Sequence, residues 1–235
     1  MEELKTYRRY QEVMCEMNEN KITLLDLHAA YQQWAGTPIA SLELRHAEVS
    51  DNIPTAMDIL FFQPPPEDKV SSKEFFTYIT TAGMSTRIMQ GPCQYVELIL
   101  RVQGRHDLEK LKTTGRGLGE LAIVPFREGT YFAPNLIVSN ISLPLFEHMD
   151  SVLITNWGIQ TPEYLPGLKM PVQLLSIHPI YASEADIIEA IGDVEASRRY
   201  AIQGINWDDP ERPPAHLEEA PSVSKARKRK KKKTL

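Results

Sequence analysis

His178 and Glu184 are the residues whose types and spacing first suggest acid–base or metal chemistry in this chain. A zinc-protease helix, however, needs two histidines one turn apart with a glutamate beside the first, and the segment HPIYASE has neither. Helix capping accounts for the acidic residues, because Ser183 can cap a helix that carries Glu184 in its first turn and Asp186 three residues after the cap. We therefore interpret His178 and Glu184 as residues of a strand-to-helix junction, and the sequence predicts no metal site.

Three glycines in TTGRGLGEL, residues 113–121, suggest a second kind of chemistry, the binding of phosphate. A dinucleotide loop follows a strand and has the spacing G-x-G-x-x-G, whereas these glycines follow a polar, helix-like stretch with the spacing G-x-G-x-G. The chain has no G-K-[ST], and neither Cys93 nor Ser85 has the glycine elbow of a nucleophile. We interpret the glycines as a backbone turn that could hold a sulfate-sized anion weakly, and the sequence predicts no catalytic residue and no cofactor.

Asp58 is a carboxylate inside the strongly apolar segment AMDILFF. Strand alternation turns Met57 and Ile59 inward and Asp58 towards solvent. In a second interpretation Asp58 is a partner contact or a buried anchor, which would need hydrogen bonds. The sequence leaves both interpretations open. His28 lies on the apolar stripe of a predicted helix, and we interpret it as a hydrogen-bonded residue rather than a ligand.

The elements that position these residues are helices towards both ends of the chain and strands between them. Apolar residues recur at helical spacing over 2–18, and a second helix begins at Thr23, with Asp26 three residues later, and ends at Gly36. Strands are predicted for SLELRHAEV, TAMDILFF, EFFTYITTAG, YVELILRV, SVLITNW and VQLLSIH. Further helices are predicted over part of 107–122, over 184–191 and over 194–203. This order lacks regular strand–helix alternation and predicts an α+β fold with a mixed, largely antiparallel sheet.

The net charge of −5 combines an acidic body with a basic tail. Eight of the 26 Lys and Arg residues lie within 225–233, so the rest of the chain has 18 cationic against 31 acidic residues, a net charge of −13. The Pro-rich and then polybasic stretch 216–235 is predicted to be disordered. Its possible roles are binding of nucleic acid, contact with an anionic membrane, and solubility alone. The cationic tail residues are Lys225, Arg227, Lys228, Arg229, Lys230, Lys231, Lys232 and Lys233.

Other features of the composition predict a cytoplasmic protein. Hydrophobic residues make up 42% of the chain and charged residues 24%, which is typical of soluble globular proteins. No apolar run approaches the roughly 20 residues that span a bilayer, and the charged N-terminus lacks the apolar region of a secretory signal. The two cysteines, Cys15 and Cys93, indicate neither a disulfide framework nor a metal site.

Five segments, in order along the chain, together resemble the suppressor-of-fused domain family in its single-domain bacterial form. They are MDILFFQPPPED, FFTYITTAGMS, YVELILRV, LLSIHPIYASEADIIEAIG and DDPERPPA, and the resemblance covers about residues 40–215. It implies a suppressor-of-fused-like α+β sandwich over 1–215, with an N-terminal helical extension over 1–40 and the basic tail over 216–235. The long helical extension and the polybasic tail depart from the family pattern.

The resemblance implies a non-enzymatic protein-binding domain without a cofactor. Animal members of the family hold a transcription factor through an added β-strand, and many bacterial members resemble immunity proteins that neutralise a toxin. The partner is expected to dock on the sheet, by strand addition at an exposed edge or on a polar face. An acidic body would attract a basic partner such as a nuclease toxin, although solubility alone also explains its charge. The predicted partner-binding residues are Asp58, Thr81, Gly83, Met84, Ser85 and Glu97.

Two other functions remain open from the sequence. The first is an adaptor whose body binds protein and whose tail binds nucleic acid without sequence preference. The second is a small hydrolase that uses His178 and an acid. The oligomeric state, the partner and the free edge of the sheet are not specified by these patterns.

Overall fold

The computed structural model describes residues 21–45, 53–63, 75–91, 94–156 and 161–217. Its strands are β1 (Ala40–Arg45), β2 (Ala56–Phe62), β3 (Phe76–Ala82), β4 (Val96–Gln103), β5 (Ile137–Ser139), β6 (Ser151–Thr155) and β7 (Gln173–Ile180). Its helices are α1 (Leu24–Ala35), α2 (Leu108–Glu128), α3 (Ala182–Ile191) and α4 (Asp193–Ile202). The helix predicted over 2–18 lies outside the described residues.

All seven strands form one sheet in the order β1-β2-β3-β4-β7-β6-β5. Five of the six strand pairs are antiparallel, and only β4 and β7 run parallel. The predicted α+β class with a mixed, largely antiparallel sheet is therefore confirmed. The two edge strands are β1, with six residues, and β5, with three.

The sheet is covered on both faces, and the alternation in β2 shows how. Met57, Ile59 and Phe61 point into the main core, which also contains the buried residues of α2. Leu60 and Phe62 point to the opposite face and pack with the buried side of α1. A third, smaller core joins the far strands to α3, α4 and the C-terminal segment. Central strands are consequently buried on both faces.

Helix α1 begins and ends where the sequence predicts. The Thr23 hydroxyl accepts a hydrogen bond from the backbone N–H of Asp26, and the Asp26 carboxylate accepts one from the backbone N–H of Thr23. This reciprocal pair is a capping box. The helix ends at Gly36, whose φ of 82° lies in the region that favours glycine.

The glycine-rich segment is not a turn, and that interpretation is wrong. Gly115, Gly117 and Gly119 lie inside the continuous 21-residue helix α2, where they let the helix approach its neighbours. A Cβ on Gly117 would lie 2.2 Å from the carbonyl oxygen of Ser142, and one on Gly119 would lie 2.2 Å from Cδ1 of Leu44. The N–H groups in the middle of a helix are bonded to helical carbonyls, which removes the basis for an anion site there.

We expect Gly117→Ala to destabilise the domain by about 1–3 kcal/mol, because the new methyl group would meet a backbone carbonyl that cannot rotate away. In an exposed helix the same change would stabilise by about 0.5–1 kcal/mol. Urea unfolding of the two proteins measures the difference. Glu120→Ala, on an exposed position of the same helix, is the control and should change stability little. A gain in stability for Gly117→Ala would mean that the contact with Ser142 is not constrained.

The strand-to-helix junction after β7 differs in one detail from its prediction. Helix α3 is capped by Tyr181 rather than by Ser183, which is already helical, and Glu184 is the third helical residue. The Glu184 carboxylate accepts a hydrogen bond from the backbone N–H of Tyr181 at 3.0 Å. Pro179 lies beyond the part of β7 that pairs with β4, so its missing N–H costs no ladder bond on that side.

The described chain continues into the first two residues of the predicted tail. Leu217 is buried against the third core, and its carbonyl oxygen accepts a hydrogen bond from Arg199 at 3.0 Å. The backbone N–H of His216 donates to Gln203. The rest of the predicted tail, including all eight cationic residues of 225–233, lies outside the described residues.

Candidate functional site

Four of the six predicted partner-binding residues meet around one buried carboxylate, that of Glu97 on β4. Oε1 of Glu97 accepts hydrogen bonds from the backbone N–H of Gly83 (3.0 Å), the backbone N–H of Ser85 (3.0 Å) and the Ser85 hydroxyl (2.6 Å). Oε2 accepts one from the Thr81 hydroxyl at 2.7 Å. The turn after β3 is thereby fastened to β4, and we call these four residues the Glu97 cluster.

The electrostatics of the Glu97 cluster are unusual, because the hydroxyl and backbone donors that hold the carboxylate carry no positive charge. Burial raises the pKa of Glu97, and the hydrogen bonds from Ser85, Thr81 and Gly83 offset only part of that effect. The sequence does not reveal this burial, since alternation in YVELILRV merely places Glu97 opposite the main core. Its face of the central strand is covered by α1, whose Tyr31 hydroxyl donates to the carbonyl of Thr81 at 2.8 Å.

The other two predicted residues have different surroundings. Met84 is fully buried in the main core. Asp58 lies opposite Ala82 in the register of β2 and β3, and its Oδ2 is 2.7 Å from Nε2 of His28 on α1. The side chain of Asp58 is 19% exposed and that of His28 is 36% exposed. Asp58 is therefore a partly buried, hydrogen-bonded anchor for α1, and His28 is its partner.

These positions give all six residues a structural role in the isolated chain. Thr81, Gly83, Met84, Ser85 and Glu97 are buried, and only Asp58 reaches the surface. A partner would therefore contact the five buried residues only after a rearrangement of the chain. Their part in partner binding stays a prediction, as does that of the tail residues.

The second group of residues with possible chemistry surrounds the junction between β7 and α3. Glu184 is buried and makes a two-pronged ion pair with Arg212, with N–O distances of 2.9 and 2.8 Å. The backbone N–H of Ala215 also donates to Glu184. Burial alone would raise the pKa of Glu184, but Arg212 and these hydrogen bonds outweigh it and hold the pKa below its ordinary value. Both carboxylate oxygens of Glu184 are thus bound to Arg212.

His178 has its own surroundings in the same region. Its Nε2 lies 3.0 Å from the Thr155 hydroxyl, and its ring lies 5.3 Å from the ring of Trp207. The residue is 5% exposed. The hydrolase hypothesis needed an acid to work with His178, and Glu184, the first acid after it in the sequence, is bound to Arg212. Within the described ranges, no group of three or more His, Cys, Asp or Glu residues could hold a metal ion.

The segment DDPERPPA contains charged residues whose role local sequence patterns did not identify. Asp208 makes a buried ion pair with Arg101 of β4, and Arg212 reaches Glu184, the carbonyl of Pro179 and the rings of Tyr181 and Tyr200. The ion pairs Arg101–Asp208 and Arg212–Glu184 therefore connect this segment to β4 and to the first turn of α3. The spacing Asp-x-x-x-Arg in a Pro-rich stretch was the available signal, but the partners lie far away in sequence.

Among the described residues, β1 and β5 are the two edges of the sheet, and β1 is the longer of them. Within the part of the chain that the structure describes, β1 pairs only with β2. Ser41, Glu43 and Arg45 are exposed, and Glu43 lies directly opposite Asp58 of β2. Among the described residues, no helix is long and apolar enough to cross a membrane.

Comparisons with known proteins agree with this fold. The family model described as suppressor of fused protein matches residues 54–213. A structure described as a suppressor-of-fused homolog from Neisseria gonorrhoeae FA 1090 aligns with a TM-score of 0.56 and 13% identity, over 86% of this chain and 98% of that one. Among curated proteins, no sequence matches the chain.

Two further solved structures share the fold. A Sufu–Fu complex aligns with a TM-score of 0.51 and 13% identity, over 82% of this chain and 89% of that one. Drosophila Suppressor of Fused aligns with a TM-score of 0.53 and 13% identity, over 88% of this chain and 53% of that one. At this level of identity the likeness concerns the fold alone.

Proposed function

The chain belongs to the suppressor-of-fused family, and on this premise we propose that it works by binding another protein along the outer edge of β1. The observation that carries the proposal is the open edge itself. A six-residue strand with no neighbour on its outer side, among the described residues, offers unpaired N–H and C=O groups to an added strand. A related fold is known in complex with a protein, since one of the aligned structures is the Sufu–Fu complex.

The six predicted residues fit this proposal as supports of the binding edge. Asp58 is the register partner of Glu43 on β1, and its bond to His28 fixes α1 beside it. The Glu97 cluster fixes the next strand, β3, to β4. Thr81, Gly83, Met84, Ser85 and Glu97 would then affect partner binding by holding β2 and β3 in place.

The charge of the chain supports a basic partner. Residues outside the basic tail carry a net charge of −13. Such a field accelerates the capture of a cationic protein and loses strength as salt is added. We extend the proposal to an immunity protein that neutralises a basic toxin.

A second candidate function rests on the tail. Eight Lys and Arg residues among nine positions, 225–233, would displace counterions from a polyanion and bind it without sequence preference. In this candidate the body binds protein and the tail binds DNA or RNA. It predicts that nuclease or moderate salt releases the bound material.

We expect the full chain to retain one protein from native lysate at moderate salt, and a full-length variant with all eight tail cations changed to Gln to retain the same protein. Hydrogen exchange then locates the contact. Adding the purified partner should slow exchange of outward-facing amides in β1 (40–45), because they become hydrogen-bonded to the added strand. The other edge, β5, should be unchanged and is the internal control.

Two outcomes would contradict the edge proposal. A partner that binds without changing exchange in β1 docks elsewhere. Material that is lost in the tail variant and released by nuclease assigns the activity to the tail instead. A basic partner whose association rate falls with salt supports the immunity extension, and an acidic partner contradicts it.

A further inference from the structure

We propose that the cleft between α1 and a hairpin over 165–172 binds an organic carboxylate that carries a short apolar chain. The hairpin is closed by the antiparallel bridge between Tyr164 and Gln173, and inside it the backbone N–H of Leu165 donates to the carbonyl of Val172 at 3.0 Å. Its tip faces α1 across a cavity of about 290 Å³. Cavities that hold drug-sized ligands begin at about 300 Å³, so this cleft suits a smaller molecule.

Both walls of the cleft are held in place without a ligand. The two residues that are bonded at the base of the hairpin are buried in the same core as the inner side of α1. At the tip, Pro166 and Pro171 each fix a backbone φ, which limits the conformations open to it. A Cβ on Gly167 would lie 2.5 Å from Oε1 of Gln33, so the tip and the helix approach closely there. Preformed walls reduce the cost of ordering the site when a ligand binds.

Much of the lining is apolar. Ile22, just before α1, and Ala30, on the helix, are buried, and Leu168 and Met170 of the hairpin tip are partly buried against the same core. Ala29 lines the cleft with a methyl group only. These surfaces favour an apolar chain, because each methylene group that leaves water there contributes to binding.

Two lysines line the same cleft, one on each wall. Lys21 lies just before α1 and Lys169 lies on the hairpin tip, and both are exposed. Within the described ranges, neither lysine makes an ion pair. Asp26 also lines the cleft, but its Oδ2 accepts hydrogen bonds from the backbone N–H and the hydroxyl of Thr23, at 3.0 and 2.6 Å. Two cations beside one capped carboxylate favour an anionic ligand.

Titration of the isotope-labelled full-length chain with hexanoate, followed by nuclear magnetic resonance, tests the inference. We expect the backbone amide signals of 29–33 and 167–170 to shift saturably, with a dissociation constant of about 1 mM or lower. Butanoate should bind about tenfold more weakly, because it buries two fewer methylene groups. Hexanol lacks the charge and should bind more weakly by about fivefold or more.

The source of the carboxylate is either a free acid or the end of a peptide whose last residue is apolar. N-acetyl-leucine presents the same carboxylate as a chain terminus. Tighter binding of N-acetyl-leucine than of hexanoate assigns the site to a chain terminus, and the reverse order assigns it to a free acid.

Variants of the lining separate the cleft from other cationic regions. Ala29→Leu should fill the cleft and weaken hexanoate binding about tenfold or more, while leucine at this exposed helical position keeps the fold. Lys21→Gln/Lys169→Gln should weaken hexanoate binding about fivefold and leave hexanol binding unchanged. Ala201→Leu on α4 and Lys110→Gln on α2, both exposed, are the matched controls and should bind hexanoate like the natural chain.

Three results would overturn the inference. They are amide shifts that do not saturate by about 10 mM hexanoate, hexanol binding as tight as hexanoate binding, and unchanged hexanoate binding in Ala29→Leu. The last result would place the anion on the basic tail, which that variant retains. The titration needs no protein partner, so its outcome is independent of the proposal for the edge of β1.

Discussion

Arg212→Ala should lower the free energy of unfolding by about 3–5 kcal/mol. The substitution leaves the Glu184 carboxylate buried without its positively charged partner, with neutral donors such as the backbone N–H groups of Tyr181 and Ala215 and the Tyr200 hydroxyl. It also removes the bond to the carbonyl of Pro179, which lies beyond the pairing of β7 with β4. An uncompensated buried charge is among the most destabilising single changes in a protein.

The pH dependence of the stability of Arg212→Ala tests whether the loss comes from the broken ion pair with Glu184. The pKa of Glu184 is lower in the folded protein than in the unfolded chain. Ionised Glu184 therefore stabilises the fold at any pH above its pKa in the unfolded chain, and this stabilisation is lost as the pH falls through its pKa in the folded protein. The natural chain should therefore lose stability on acidification below about pH 4.5. Arg212→Ala should lose less over that range, because the interaction that lowers the pKa is already absent.

Chemical denaturation of Arg212→Ala and of a matched control measures the effect. Arg198→Ala also breaks an arginine–glutamate pair, but Arg198 and Glu195 are on the surface of α4, so we expect little change in stability. The double variant Glu184→Gln/Arg212→Met should recover much of the loss, since it removes both charges. A loss for Arg212→Ala no greater than that for Arg198→Ala would show that water reaches Glu184 freely.

The sequence predicted the elements whose signal is local. Alternation and β-branched residues identified six of the seven strands, and the reciprocal bonds between Thr23 and Asp26 follow from their spacing alone. The strand that it missed, β5, has three residues and pairs with β6 along only one side, which is too short for a periodic signal. Local rules fail where a segment is too short to repeat their period.

The glycines of α2 show a second kind of limit. Each of them lowers helix propensity, so a local interpretation favours a turn. Tertiary contacts explain why these positions are glycine, because Leu44 and Ser142 occupy the space that side chains would need. Those neighbours lie on β1 and before the 3-10 turn at Pro144–Phe146, and nothing within the helix reveals them.

The candidate site shows the same limit for charged residues. The family resemblance drew attention to Thr81, Gly83, Ser85 and Glu97, and the structure brings them together. Whether Glu97 faces solvent or a second layer depends on α1, which lies more than sixty residues earlier in the chain. Arg212 likewise finds Glu184 across 28 residues. Periodicity assigns a side chain to a face, but it does not tell what covers that face.

Glu97→Ala should destabilise the domain by at least about 3 kcal/mol, because it leaves the donors of the Glu97 cluster buried without their acceptor. Glu97→Gln should cost far less. The Gln oxygen can keep the three bonds that Oε1 accepts from Gly83 and Ser85, and its NH₂ group can donate to the Thr81 hydroxyl. The amide thus imitates the protonated form of the glutamate.

The direction of the pKa shift adds a test that geometry alone does not supply. The pKa of Glu97 is raised in the folded state, so the folded protein binds the proton more tightly than the unfolded chain. The contribution of Glu97 to stability is therefore fully present when the pH is below its pKa in the unfolded chain. This contribution is lost as the pH rises through its pKa in the folded protein. As the pH falls towards the ordinary glutamate pKa of 4.5, the natural chain should become more stable relative to Glu97→Gln.

Urea unfolding of the two proteins at several pH values measures this difference. Glu120→Gln makes the same change of charge on the surface of α2, and its difference from the natural chain should vary little with pH. If Glu97→Gln gave a difference as flat as that of Glu120→Gln, the Glu97 carboxylate would have to be hydrated in solution. The Thr81–Ser85 turn could then open, and these residues could reach a partner directly. A steep difference instead keeps them inside, as supports for the edge at β1.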